Sequence, residues 1–333
     1  MKTLLNPNNH LFELARSGQR LPHLILAIVL GFVFVVAAQF IGGIPALMIV
    51  WALSMVGTGE ALSFENPDEL LRLVLPDTAL EQVIFLVLLF APIFLFLWGW
   101  LTWYEKRPFW TIGLERPGAG LKYLRGLWIG LIMFAVSVGI SAALGFVAFE
   151  ENSGGQPQGL AAVASVLLVF LGWTIQGPAE EALARGWLLP IIGARYKPLL
   201  GVIISSLVFA AYHILNFYGL ELDPFVVFIA LFNLFLFGVF TALYTLREGS
   251  LWGVFGIHAV WNWAQGNLFG FEVSGMPPAG GMLFNLIEVG PDVVTGGPFG
   301  PEGGLAVTII LIASTGAVWL VAERRNEKSK IRD

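Results

Sequence analysis

The sequence predicts an all-α polytopic membrane protein of about eight transmembrane helices. Three observations carry this. Hydrophobic residues make up 57% of the 333 residues and charged residues only 12%, with 27 Phe and 12 Trp; a soluble domain carries roughly 25% charge. The mean hydropathy is +0.78. The apolar residues also gather into stretches long enough, at about 20 residues each, to cross a hydrocarbon core about 30 Å thick.

In chain order the stretches are 24–56, 79–103, 122–147, 159–194, 198–216, 224–246, 251–270 and 304–322. The first is long and interrupted by Gly42-Gly43 and Pro45, and reads as one kinked or tilted span, because two spans plus a turn need more residues. Residues 1–23 form a leader, and 1–20 are expected to be solvated. A short interfacial helix carrying Phe12, Leu14 and Arg16 is the other reading. A cleavable signal peptide does not fit, because the apolar run starts late, is too long and lacks a small-residue cleavage site. Residues 24–322 read as a single transmembrane domain with its core at about 159–270, followed by a basic tail, 323–333. The Gly/Pro-rich stretch 273–304, with Pro277-Pro278 and Gly280-Gly281, is a loop with no evident role.

Charge tests the count. With eight spans the loops alternate between two sides, and of 18 Lys and Arg only Arg72 falls opposite the rest. The acidic loops, including Glu60, Glu65, Asp68, Glu69, Glu150, Glu221 and Asp292, take the other side. Lys/Arg bias sets orientation, so both termini are expected in the cytoplasm. The net charge of −5 and the lack of an internal basic block argue against nucleic acid as a partner. There are no cysteines, which removes disulfides, thiolate metal sites, Fe–S clusters and a Cys nucleophile together.

Ionisable groups inside a membrane are costly and mark candidate sites. Glu180 and Glu181 sit within an apolar helix, in Pro178-Ala-Glu180-Glu181-Ala-Leu-Ala-Arg185. Glu181 and Arg185 are i,i+4 and can pair along one face. Glu180 is rotated by about 100° from Glu181. A salt bridge alone explains Glu181 and Arg185 and leaves Glu180 over, an arrangement suited to a general base. His213 follows Phe209 by four residues, and His258 precedes Asn262 by four. Each pair is equally readable as packed, hydrogen-bonded helix glue. Asn233 reads as such glue, and His10 and His23 as peripheral.

Depth brings these groups together. Glu180 lies 16–17 residues before the Arg195-Tyr196-Lys197 turn and His213 as many after it. At about 1.5 Å per residue they share a level. His258 is somewhat shallower, within what tilt and a protruding hairpin absorb. A cavity in the cytoplasmic half is expected, with Pro178 kinking the helix beside it. Glu and His without an activated Ser or Cys suggest an activated water: Glu180 takes the proton, His213 holds or polarises the water, and His258 with Asn262 stabilises an oxyanion. The other chemistry is a zinc-bound water on His213, His258 and Glu180. No H-E-x-x-H advertises it, and the residues alone favour neither.

At these residues the sequence resembles the CAAX protease and bacteriocin-processing (CPBP, or Abi) family of intramembrane endopeptidases, which includes the type II CAAX prenyl endopeptidases. The family motifs E-E-x-x-x-R, F-x-x-x-H and H-x-x-x-N stand here as Glu180-Glu181-x-x-x-Arg185, Phe209-x-x-x-His213 and His258-x-x-x-Asn262. Gly186-Trp187-Leu188-Leu189-Pro190 and Arg107-Pro-Phe109-Trp-Thr-Ile-Gly113-Leu114 are similar to further family segments. The resemblance is strongest over about 170–270. It implies the eight-helix intramembrane protease fold with a cavity open to the cytosol and inner leaflet. It also implies catalytic Glu180, His213, His258 and Asn262, with Glu181, Arg185 and Phe209 behind them, and no cofactor, zinc being the alternative. The implied substrate is a membrane-associated or prenylated peptide or protein, in a multi-pass protein of a prokaryotic plasma membrane. Two other functions compete: an idle scaffold or immunity factor, and a transporter with a proton relay. The intact motifs weigh against the first, and the lack of an inverted repeat against the second.

Overall fold

The computed structural model describes residues 4–58, 75–151 and 155–330. Glu60, Glu65, Asp68, Glu69 and Arg72 of the first acidic loop lie outside the described residues, as do Lys2 and 331–333 at the chain ends. The described residues are all-α apart from one small strand pair. A short helix α1 (His10–Arg16) precedes the long helices α2 (Leu24–Thr58), α3 (Ala79–Gly99) and α4 (Ala119–Ala143). Next come α5 (Val163–Glu181), α6 (Leu189–Arg195), α7 (Pro198–Tyr212), α8 (Pro224–Glu248), α9 (Trp252–Trp263) and α10 (Leu305–Lys330). Helix α2 is a single helix with Pro45 inside it, as its length required.

Three helices run on into π-helical turns: α3 into Trp100–Glu105, α5 into Ala182–Leu188 and α9 into Ala264–Phe269. π-turns leave looser hydrogen bonding and are frequent at functional sites. The turn after α5 follows Pro178, which lacks an N–H and so frees a carbonyl one turn back.

Among the described residues seven helical segments are long and apolar enough to cross a membrane, from Leu24–Val56 to Leu305–Glu323. The eighth expected stretch, 251–270, is helical as α9 and its π-turn, but it is not among the seven. The reason is its place. Every residue from Gly253 to Asn262 is buried inside the bundle, so α9 needs no lipid-compatible face and carries His, Asn and Gln instead. It lies so close to α4 that a Cβ on Gly256 would meet Tyr123 O at 2.3 Å, and one on Gly126 would meet Gly253 O at 2.0 Å. Small residues at such crossings let backbones touch.

The leader departs from expectation. Leu11, Phe12 and Ala15 of α1 are fully buried, and Asn9 Nδ2 donates to Leu246 O at 2.8 Å. About two turns with three buried apolar residues give too short a periodic signal to be read without the groove that receives it. The loop after α9 is also built. Its strand β2 (Leu286–Glu288) pairs antiparallel with β1 (Val147–Phe149), and Gly280 N donates to Asp77 O at 3.0 Å. It packs against one end of the bundle.

Candidate active site

The site is built from three helices and the loop. Glu180 and Glu181 end α5, and Arg185 lies in the π-turn that follows. His213 caps the C-terminus of α7, one turn after Phe209. His258 and Asn262 share a face of α9. Gly177 makes the α5–α9 approach possible: a Cβ there would stand 3.0 Å from the His258 ring.

Arg185 and Glu181 form a fully buried pair, Nη1 to Oε1 3.2 Å. The same Glu181 oxygen lies 3.0 Å from His258 Nδ1. A carboxylate only accepts, so Nδ1 carries the proton and Nε2 turns toward Glu180, whose Oε2 is 3.6 Å away. The chain of contacts is therefore Arg185, Glu181, His258, Glu180. Arg185 also stacks over Phe209, its Cζ 4.3 Å from the ring centroid. Phe209 touches His213 and His258 as well, with centroids at 4.9 and 5.9 Å. One aromatic ring thus spaces the cation and both imidazoles.

His213 Nδ1 lies 2.9 Å from Phe209 O. A carbonyl only accepts, so in the neutral imidazole Nε2 keeps its lone pair. Asn262 Nδ2 donates to Gln176 Oε1 at 2.7 Å. Glu180, His213, His258 and Asn262 all line one cavity of about 260 Å³. The sequence reading set Glu180 beside His213, whereas the histidine within ion-pair range of Glu180 is His258.

The cavity holds residues the sequence did not mark. Gln176 lies one turn before Glu180 on the same face, and that i,i+4 amide was a readable signal. Glu302, from the loop, lines the cavity and accepts a hydrogen bond from Ser274 Oγ at 2.5 Å. Burial pushes its carboxyl above the ordinary range. No periodicity connects Glu302 to the helices, so nothing in the sequence announced it. Asn233 is glue, as read, since Nδ2 donates to Glu302 O and Gly304 O, both at 2.9 Å; it also faces the cavity.

One expectation is corrected. The cavity does not run to the basic-loop end. Its floor is Leu183, Phe209 and Phe237, and it extends toward Leu75, Pro76, Asn216 and the 273–279 loop. Among the described residues no three His, Asp or Glu side chains are grouped as a metal site.

Residues 162–264 match the family model described as Type II CAAX prenyl endopeptidase Rce1-like. The matched segment is similar to that family and covers less than half of the chain. It contains Glu180, Glu181, Arg185, Phe209, His213, His258 and Asn262, while Glu302 and the loop lie beyond it. The match supports a CAAX-type intramembrane endopeptidase in general terms. No curated protein and no solved structure matches the chain.

Proposed function

We propose that the chain is a glutamate-type intramembrane endopeptidase that hydrolyses a peptide bond of a membrane-associated peptide or protein. The observation that carries this is Glu180. Its Oε2 has no hydrogen-bond partner, it faces the cavity, and the neighbouring Glu181 already takes Arg185. In this reading Glu180 removes a proton from water as the water oxygen attacks the scissile carbonyl carbon. His213 Nε2 orients that water. The tetrahedral oxyanion receives hydrogen bonds from His258 Nε2–H and from the second N–H of Asn262. The C–N bond then breaks, and Glu180 returns the proton to the leaving amine. Arg185 and Glu181 position His258 without touching substrate. No step passes through a metal.

The test is proteolysis by purified protein in liposomes against a pool of farnesylated and unmodified membrane-anchored peptides. Wild type stands beside Glu180→Gln and His213→Ala, each with and without a zinc chelator. Cleavage lost in both variants and indifferent to chelator supports the reading. Cleavage lost with chelator and restored by zinc overturns it in favour of metal chemistry. No cleavage of any peptide moves the assignment to a binding scaffold.

A further inference from the structure

The two ends of the bundle differ in charge. At one end, Gln19 N donates to Glu105 O at 2.8 Å, Leu251 N to Gly113 O at 3.0 Å and Arg195 Nη1 to Leu21 O at 2.6 Å. Among the residues whose side chains are described, every Lys and Arg except the buried Arg185 sits at this end. At the other end, Gly280 bonds Asp77, Glu150 N donates to Asn285 O at 2.8 Å and Asn216 Nδ2 to Ser274 O at 3.2 Å. The described loops there carry Asp77, Glu150, Glu221, Asp223, Glu272 and Asp292 and no Lys or Arg.

The cavity communicates with the acidic end. Below its floor, toward the basic end, Arg185, Trp187 and Leu188 are fully buried, and Trp187 Nε1 is tied to Glu105 at 2.6 Å. Its walls rise instead to Leu75, Pro76, Asn216, Met276 and Pro277, and Met276 at that rim is 45% exposed. Lys/Arg excess marks the cytoplasmic side of short loops.

We infer that the cavity opens on the non-cytoplasmic side of the membrane, so that its substrate is a membrane-anchored polypeptide with its scissile bond on that side, and not a prenylated C-terminus presented from the cytosol. What the cavity does rests on the endopeptidase reading above; where its mouth lies does not. Access sets this chain apart from the cytosolic opening that its family resemblance implied.

The cysteine-free sequence gives a clean test. Single-cysteine variants Tyr218→Cys and Met276→Cys report the acidic end, and Lys197→Cys reports the basic turn. Intact cells are treated with a membrane-impermeant maleimide. The expected result is labelling at 218 and 276 in intact cells, and at 197 only after permeabilisation. The reverse pattern overturns the inference, and so does labelling at 218 without 276. A second arm uses two single-pass reporters bearing the same cleavable segment on the outer or inner side of the membrane. Cleavage of the outer reporter alone, abolished once Met276→Cys is labelled, supports the inference, and cleavage of the inner one alone overturns it. If neither reporter is cut, the endopeptidase reading fails while the labelling pattern still decides where the mouth lies.

Discussion

Two buried carboxylate–arginine clusters sit within this bundle, and they are built to opposite standards. At the basic end Glu105 is saturated. Its Oε1 accepts from Trp187 Nε1 at 2.6 Å and Trp100 Nε1 at 2.9 Å, and its Oε2 from Arg107 Nε at 2.6 Å. Arg107 Nη1 donates onward to Thr111 Oγ1 at 3.0 Å, and within this cluster only Arg107 Nη2 is left without a partner. In the cavity cluster Glu180 Oε2, Glu181 Oε2 and all three Arg185 nitrogens make no hydrogen bond, though Arg185 still pairs with Glu181 by charge. A satisfied polar network rigidifies a fold, and a partly satisfied one carries a cost that persists only where something else requires it. The first cluster latches α3 to the turn after α5. The second keeps a carboxylate poised in a cavity.

The contrast yields opposite signatures on mutation. Glu180→Gln removes the base and an under-satisfied charge together. Cleavage falls about 10³-fold, the usual worth of a positioned base, while the thermal unfolding midpoint holds or rises. Glu105→Ala leaves Arg107 buried without its partner and costs about 3–5 kcal/mol of stability, with cleavage per folded molecule preserved. Unfolding in detergent and single-turnover cleavage measured on the same preparations separate the two. If Glu105→Ala lowered turnover as steeply as Glu180→Gln, the division between latch and working site would fail.

A finer cut runs through the cavity cluster. Glu181 contacts His258 and Arg185 but faces no substrate, so Glu181→Gln acts through His258. Losing a charge-assisted hydrogen bond of about 1.5–3 kcal/mol lowers kcat roughly 10–100-fold, and KM stays put. A rise in KM without a change in kcat would make Glu181 a substrate contact. Asn262→Ala removes an oxyanion donor and also strands Gln176. Its loss is about 10²-fold, and Asn262→Asp should lose more, because an acceptor-only carboxylate beside the oxyanion repels it.

Much of this arrangement was legible in the sequence, for a reason visible in particular residues. In a bilayer every polar helix residue needs a partner, so Glu180, Glu181, Arg185, His213, His258 and Asn262 stood out against apolar neighbours and do converge. The protruding hairpin that aligns their depths is real, since Leu251 packs at Gly186, nine residues short of Arg195. Helix α9 was legible as a helix but not as an interior one, because hydropathy does not tell lipid from protein as the apolar solvent. Glu105 and Arg107 were hidden by sitting at a span end, where charges are ordinary. Glu302 and the β1–β2 pair depend on a loop whose course the turn residues punctuate without directing. The direction of the cavity was misread because what closes it toward the basic end is Leu183 and Phe209, with Trp187 and Leu188 packed below, apolar residues that any span contains.

Glu288 adds a third way to bury a carboxylate, neither paired nor poised. It stands on β2 against the outer loop, where burial, with Glu272 and Asp292 nearby, pushes its carboxyl up to about 9. An isolated glutamate sheds its proton near pH 4.3. The folded state therefore binds the proton more tightly than the unfolded state. The contribution to stability is complete below the unfolded value and is lost as pH rises through about 9. Glu288→Gln fixes the neutral form. The variant should match wild type near pH 4 and unfold at a progressively higher temperature than wild type as pH rises, with the difference level above about pH 9. Thermal unfolding across pH 4–10, set beside Glu180→Gln, sharpens the comparison. An alkaline loss that persists in Glu288→Gln would place the responsible group elsewhere, Glu302 being the next buried carboxyl of this loop held above its ordinary range.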